Sequence, residues 1–229
     1  MYITWTGLEL DEPSMACPWK PVGATFAQAG QAGPGVASVP DFGGTWWSVL
    51  ALWDDVAGAT EAAPVPDGMT RSAWHVTLEP VSYRGDAHLA GRARPFDSLP
   101  RRGKVAGAAA VITLAGVGTD PQRTGEFLER FAGLGEDVAR APGHRAAMVQ
   151  AAEDGAFLTF SAWSTLRDAV TWAYHREEHS ATVRRHQEHR LLDETGFLRC
   201  AVIASTGTLR GSDPLAGLTG TCVHHEERT

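Results

Sequence analysis

The stretch Phe157-Leu158-Thr159-Phe160-Ser161-Ala162-Trp163 matches the earlier stretch Trp47-Ser48-Val49-Leu50-Ala51-Leu52-Trp53 in its apolar pattern and its final tryptophan. A second pair, Ile3-Thr4-Trp5-Thr6-Gly7-Leu8 and Ile112-Thr113-Leu114-Ala115-Gly116-Val117, matches at nearly the same offset. Two segments that agree on one spacing are hard to obtain by chance, so they indicate a duplicated unit of roughly a hundred residues. The sequence therefore predicts a chain that is its own pseudo-dimer.

The second unit has the clearer secondary structure. Asp120 is a good N-cap with Pro121 at the first helical position, Pro142-Gly143 ends that helix, and Asp154-Gly155 predicts a hairpin turn. Thr165 begins a long second helix. The predicted elements are a strand at 108–117, a helix from 121 to about 141, strands at 145–150 and 156–163, a helix from 165 to about 194, and a strand at 197–204. This β-α-β-β-α-β order is that of a ferredoxin-like unit.

The first unit follows the same order less cleanly. Its predicted elements are a strand at 2–10, a weak Gly- and Ala-rich helix at 22–32, strands at 36–39 and 45–53, a short helix at 54–63, and a strand at 74–81. We therefore predict an α+β fold in which two tandem ferredoxin-like repeats form an intrachain dimeric α+β barrel, with helices outside and a cavity between the sheets. The predicted division is a first repeat at 1–82, a linker at 83–105, a second repeat at 106–210, and a poorly ordered C-terminal tail at 211–229.

Composition excludes several classes of function. A net charge of −7 with only two lysines argues against a nucleic-acid partner, because phosphate binding needs concentrated cations. No stretch reaches the apolar length of a membrane span, and the first residues lack a secretory signal, so we expect a cytoplasmic protein without membrane insertion. Three distant cysteines, Cys17, Cys200 and Cys222, suggest neither a disulfide framework nor a zinc site.

Three sequence blocks carry a resemblance to a known family. They are Phe157 to Trp163, then Trp172-Ala173-Tyr174 followed by His179, and Ala73-Trp74-His75-Val76-Thr77-Leu78-Glu79-Pro80-Val81 leading to Gly91-Arg92 and Pro95-Phe96. In these blocks the chain resembles the spheroidene monooxygenase family of carotenoid-modifying proteins. That family lies within the dimeric α+β barrel group, which includes antibiotic-biosynthesis monooxygenases and haem enzymes. The resemblance implies haem b as cofactor, with His179 as the axial ligand of its iron.

The long predicted helix supports a cofactor site on its own terms. His175, His179, His186 and His189 lie within an arc of about 80° on a helical wheel, so they share one face. Trp172 and Val183 flank this stripe and are predicted to line the cofactor site beside His179. Tyr174 and His175 are the candidate catalytic residues.

Other interpretations of these histidines stay open. His179 can be a structural histidine whose ring is satisfied by the backbone, and His186 and His189 can belong to a solvated helix surface. His175 and His179, four residues apart, can instead clamp a non-haem metal, although that site needs a third ligand.

The leading functional hypothesis is a haem-dependent oxygenase, or a related haem oxidoreductase, that acts on a small apolar molecule in secondary metabolism. Three alternatives are a cofactor-free monooxygenase of the antibiotic-biosynthesis type, a haem lyase of the aldoxime dehydratase type, and a non-catalytic ligand-binding barrel. Further pairing of two chains into a homodimer also stays open.

Overall fold

A computed structural model of the protein describes residues 1–35, 43–61, 65, 68–87, 89, 96–152 and 156–223. The first repeat comprises β1 (Tyr2–Leu10), β2 (Phe26–Pro34), β3 (Trp46–Trp53), α1 (Val56–Thr60) and β4 (Thr70–Gly85). After β5 (Lys104–Gly107), the second repeat comprises β6 (Ala109–Gly116), α2 (Pro121–Ala139), β7 (His144–Ala152), β8 (Ala156–Trp163), α3 (Leu166–His175), α4 (Glu177–His189) and β9 (Glu194–Gly207). The last strand is β10 (Gly220–Val223).

The two repeats close into one eight-stranded antiparallel barrel. The strand order is β4-β1-β3-β2 in the first repeat and β9-β6-β8-β7 in the second, which is the same order twice. The pairs β2 with β7 and β4 with β9 join the two sheets. Closure leaves neither sheet with an open edge. The predicted α+β barrel of tandem repeats is confirmed.

The space between the sheets, predicted as a cavity, holds an aromatic core. Trp5 stacks on Phe160 with ring centroids 5.2 Å apart, and Trp74 meets Phe160 edge-on at 5.6 Å. All three side chains are fully buried. They come from β1, β4 and β8, so this core is shared by both repeats.

The outer faces of the two sheets are covered differently. In the second repeat, α2 lays Phe127 and Phe131 against Phe157 of β8. In the first repeat, the loop at 11–25 replaces a helix and places Trp19 against Leu8 and Trp47. The helix predicted at 22–32 is wrong, because those residues largely form strand β2 between β3 and β7.

The linker and the C-terminal segment contribute to the barrel. The interior core cluster includes Ala87, Leu89 and Phe96 from the linker, Leu209 at the end of the second repeat and Leu215 from the C-terminal tail. Strand β10 pairs with β5. The expectation of a poorly ordered tail is therefore wrong for residues 211–223, because Leu215 is buried in the core cluster, Leu218 packs against it and β10 pairs with β5. The domain boundaries themselves stay predictions.

Several predicted features lie outside the described residues. These are the strand at 36–39, the Asp154-Gly155 turn, the Gly91-Arg92 block and residues 224–229. Within the described part of the chain, no helix is both long enough and apolar enough to cross a membrane.

Candidate functional site

The long helix predicted from 165 to about 194 is two helices. Arg176 adopts an extended conformation, with φ −92° and ψ 129°, and separates α3 from α4. The prediction of four histidines on one continuous helix face is therefore wrong. His175 ends α3, whereas His179, His186 and His189 belong to α4.

Side chains of α4 satisfy the backbone carbonyls that the break leaves free. His179 Nδ1 lies 2.6 Å from the carbonyl oxygen of Ala173, and Ser180 Oγ lies 3.5 Å from that of Tyr174. A continuous helix would bond these carbonyls to N–H groups four residues later. No proline or glycine lies at the break, so these local side-chain bonds are what stabilises it.

The contact with Ala173 fixes the state of the His179 ring. A carbonyl oxygen only accepts, so Nδ1 carries the proton and donates it, which leaves the lone pair on Nε2. Burial lowers the pKa of His179, opposed by the bond to Ala173 and by the charge of Asp137. The ring is therefore neutral at physiological pH and its Nε2 is free of a proton.

Trp172 lies beside this imidazole and is anchored by α2. The two ring centroids are 4.8 Å apart, and the indole Nε1 of Trp172 donates to Asp137 Oδ2 at 2.8 Å. Arg176 lies 3.7 Å from Asp137 Oδ1. The carboxylate therefore orients the indole that covers one side of His179.

The aromatic contacts continue away from His179. Trp172 lies 6.0 Å from Trp163, and Trp163 lies 5.2 Å from the ring of His144. Burial lowers the pKa of His144, and its Nε2 is buried without a partner among the described residues. A row of four aromatic rings thus runs from the start of β7 to α4 across the outer face of the second repeat.

A pocket of about 310 Å³ opens next to this row. Trp172 and His175 line it, together with Ala141, Pro142, Asp168, Thr171 and Arg176. Trp172 therefore belongs both to the pocket and to the surroundings of His179. This volume is at the lower end of the range for small-molecule sites.

The other residues predicted for the site lie apart from it. Tyr174 and Val183 are exposed to 58% and 38%, and neither lines the pocket beside Trp172. His186 Nδ1 accepts from the N–H of Leu192 at 3.4 Å, and the His189 side chain is half exposed. Of the predicted set, Trp172 contacts His179 and shares the pocket wall with His175.

Two contributors to the site escaped sequence reasoning. Asp137 and His144 come from α2 and β7, and Asp137 meets Trp172 across 35 residues of chain. No sequence pattern signals such a contact, because it depends on how α2 packs on α3. Among the described residues, no group of three or more His, Cys, Asp or Glu could hold a metal ion, so the proposed non-haem clamp finds no third ligand there.

Comparisons with known proteins bear on the fold. No family model matches the sequence, and no curated protein matches it either. The structure of an aldoxime dehydratase in complex with butyraldoxime is similar at TM-score 0.56 and 11% identity, covering 97% of this chain and 82% of that chain. A second aldoxime dehydratase gives TM-score 0.54 and 10% identity, covering 96% and 84%. A candidate monooxygenase from Fusobacterium nucleatum gives TM-score 0.42 and 8% identity, covering 93% and 96%.

At such identities the likeness to the two dehydratases shows a shared fold. It agrees with the dimeric α+β barrel predicted from the internal repeat. The resemblance to the spheroidene monooxygenase family stays a prediction, since no family model matches.

Proposed function

We propose that this protein is a haem enzyme that acts on a small apolar molecule as an oxygenase or related oxidoreductase, with His179 Nε2 as the axial ligand of the iron. The observation that carries the proposal is the Nδ1 contact of His179 with the Ala173 carbonyl at 2.6 Å. Metal-ligating histidines typically donate their other ring N–H to a backbone carbonyl or a carboxylate. This contact therefore prepares the ring for ligation.

The surroundings of His179 fit an axial ligand in three respects. The ring is neutral because burial lowers its pKa, its tautomer presents the Nε2 lone pair, and Nε2 has no hydrogen-bond partner among the described residues. Trp172 restricts rotation of the ring from one side.

Haem would supply the redox or N–O chemistry when bound. The residues of this chain would bind and orient: the Ala173 carbonyl increases the basicity of the His179 ring, and Asp137 fixes Trp172. The pocket beside Trp172 has room for a small molecule, with His175 at its wall as a group that can exchange a proton.

Dehydration of an aldoxime is the second candidate reaction. It is supported by the two aldoxime dehydratases among the structures that share the fold, one of them in complex with butyraldoxime. The reaction converts R–CH=N–OH into a nitrile and water, so it consumes no oxygen.

A haem titration followed by absorption spectroscopy tests the proposal. Wild type should develop a Soret band, and His179→Ala should lose or shift it, whereas His189→Ala should match wild type because His189 is half exposed on α4. Circular dichroism checks that the His179→Ala protein keeps its helices. Added imidazole should restore the wild-type spectrum of that variant by replacing the missing ring.

Two outcomes would contradict the assignment. Wild type that takes up no haem would favour a cofactor-free monooxygenase or a binding barrel, and uptake indifferent to His179 would make this residue structural. If haem binds, butyraldoxime supplied under nitrogen separates the two reactions. Nitrile formation without oxygen identifies the dehydratase, and oxygen-dependent turnover of other apolar compounds identifies the oxygenase.

A further inference from the structure

Four polar side chains are buried inside the barrel, away from His179 and its pocket. Trp5, Ser48 and Gln150 are fully buried and Gln28 is 6% exposed. Side chains alternate between the two faces of a strand, and these four lie on the faces that carry the interior core residues of β1, β3, β7 and β2. All four therefore point into the barrel.

Strand register places these residues side by side. Trp5 and Gln28 are the partners of Leu50 from the two strands that flank β3. Ser48 is the next inward-facing residue of β3. Gln150 reaches over from β7, and its Nε2 lies 3.2 Å from the carbonyl oxygen of Gln28 and 3.4 Å from that of Ser48. One wall of the barrel thus carries a compact polar cluster.

Most of the polar atoms in this cluster have no partner. Within the described part of the chain, they are Trp5 Nε1, both amide atoms of Gln28, Ser48 Oγ and Gln150 Oε1. A buried polar group without a hydrogen bond destabilises a fold. Buried polar atoms without partners are expected at functional sites, where a ligand can supply the missing hydrogen bonds.

The wall beneath the cluster can make room for a ligand. Gly7 and Gly30 are the register partners of Ser48 on its two sides. A Cβ at Gly7 would lie 2.5 Å from Met148 Sδ, and one at Gly30 would lie 2.6 Å from Gln150 Cγ. The space above Gly7 is therefore filled by the unbranched, flexible side chain of Met148, which can move more readily than a packed ring, whereas Gly30 is also approached by the backbone carbonyl of Ala151.

The cluster lies near a polar rim of the barrel. Trp46 and Glu9 lie two residues further along the strands than Ser48 and Gly7, on the same face, and they pair with each other. The Glu9 carboxylate accepts from Ser72 Oγ at 3.4 Å and lies 3.5 Å from Arg71. This rim is partly exposed and provides an approach to the buried cluster.

From this arrangement we infer that the barrel interior holds a second binding site, for a small neutral molecule with an amide-type edge such as a primary carboxamide. The unpaired amide of Gln28 offers one donor group and one acceptor, and a carboxamide offers the complementary pair. Trp5 Nε1 and Gln150 Oε1 add one donor and one acceptor for the remaining atoms of the ligand. The site is independent of the haem proposal.

Because the cluster carries no charge, it should bind neutral ligands in preference to charged ones. None of the four side chains is ionisable in the physiological range, so a carboxylate of the same size would lose its hydration without gaining a cation. Acetamide should therefore bind, and acetate should not.

The test follows the indole N–H resonance of Trp5, assigned by its loss in Trp5→Phe, while the intact protein is titrated with acetamide or with acetate. In wild type, acetamide should shift the resonance saturably and raise the melting temperature. Acetate should do neither. The Gln28→Met variant, which keeps the side-chain length but lacks the amide, should bind acetamide at least about tenfold more weakly. Gln187→Met, on the exposed side of α4, should behave as wild type.

The melting temperature of the ligand-free Gln28→Met variant provides a second readout that does not depend on ligand binding. Removing an unpaired buried amide should raise the melting temperature of ligand-free Gln28→Met above that of wild type. Absence of saturable shifts in wild type would mean that water alone occupies the site and would overturn the inference. Equal acetamide binding by wild type and Gln28→Met, or a lower melting temperature of ligand-free Gln28→Met, would also overturn it.

Discussion

His179 Nδ1 lies 2.6 Å from the carbonyl oxygen of Ala173, so a side chain of α4 caps the C-terminus of α3 across the extended residue Arg176. One contact therefore accounts both for the end of α3 and for the tautomer of the imidazole. The position of the candidate ligand depends on the helix break.

Glu177→Pro should be tolerated or should stabilise the protein by about 0.4–1 kcal/mol. Glu177 is the first residue of α4, where the N–H has no intrahelical acceptor, and Arg176 already has the extended conformation that proline requires before it. In a continuous helix the same change would cost about 3 kcal/mol. Urea denaturation of Glu177→Pro and Glu177→Ala distinguishes the two cases, and a large loss with proline alone would mean that the helix is continuous.

The pH dependence of stability should reveal His75, a half-buried histidine of the barrel wall. His75 is paired with Thr6 Oγ1 at 2.8 Å and with the Ala59 carbonyl at 3.2 Å, and burial lowers its pKa despite the latter bond. Between an unfolded pKa of about 6.5 and the lower folded pKa, the unfolded chain binds more protons. The free energy of unfolding should therefore decrease as the pH falls below about 6.5.

His75→Gln should reduce this acid-dependent loss, because glutamine can donate to Ala59 and accept from Thr6 without titrating. Urea midpoints at about pH 7.5 and pH 5.5 measure the effect. His189→Gln, at a half-exposed position of α4, is the matched control for replacing a histidine by glutamine. If both variants lose the same free energy of unfolding between these pH values, His75 does not contribute to the acid-dependent loss of stability.

Much of the second repeat could be predicted from its local signals. The Asp120 side chain accepts from the N–H of Gln122 at 2.9 Å, and Thr165 Oγ1 accepts from that of Asp168 at 3.2 Å, as their N-cap positions predicted. The strand predicted at 156–163 coincides with β8. Helix caps and the apolar alternation of strands depend only on residues close together in the chain, so they can be predicted from the sequence alone.

The wrong predictions concern segments whose structure depends on residues far away in the chain or on side-chain contacts. Strand β2 contains Gly30 and several alanines, which gave a weak helical pattern, but hydrogen bonds with β3 and β7 hold it extended. The break at Arg176 depends on the His179 side chain rather than on proline or glycine. For the site, sequence indicated His179 and Trp172, whereas the contact of Trp172 with Asp137 required the packing of α2 against α3.

Replacing glycine by alanine should have opposite effects on stability in the barrel wall and on the surface of α2. Gly30→Ala should destabilise by about 1–3 kcal/mol, because its Cβ would overlap the backbone carbonyl of Ala151 as well as Gln150. Gly125→Ala and Gly133→Ala should each stabilise by up to about 1 kcal/mol, since both lie in α2 with open space around them. Free energies from urea denaturation give the comparison, and a neutral Gly30→Ala would contradict the close packing over β2.

The ion pair between α2 and α4 should show in acid unfolding. Arg185 donates to the Glu126 carboxylate from Nε at 2.6 Å and from Nη2 at 3.1 Å, and Arg130 Nε donates at 3.0 Å. These bonds, chiefly that with Arg185, lower the pKa of Glu126 to about 2. The stabilisation by the carboxylate is therefore present above its unfolded pKa near 4.5 and is lost as the pH falls toward 2.

Glu126→Gln should flatten the decrease in melting temperature between about pH 4.5 and pH 2 and lower the melting temperature at neutral pH. Glu136→Gln is the matched control, because the Glu136 pair with Arg140 lies within α2 and is about three-quarters exposed. Since α4 also carries His179, the proposed haem ligand, loosening α4 should weaken the proposed haem uptake in Glu126→Gln but not in Glu136→Gln. Identical acid profiles for the two variants would show that Arg185 does not hold α4 on α2.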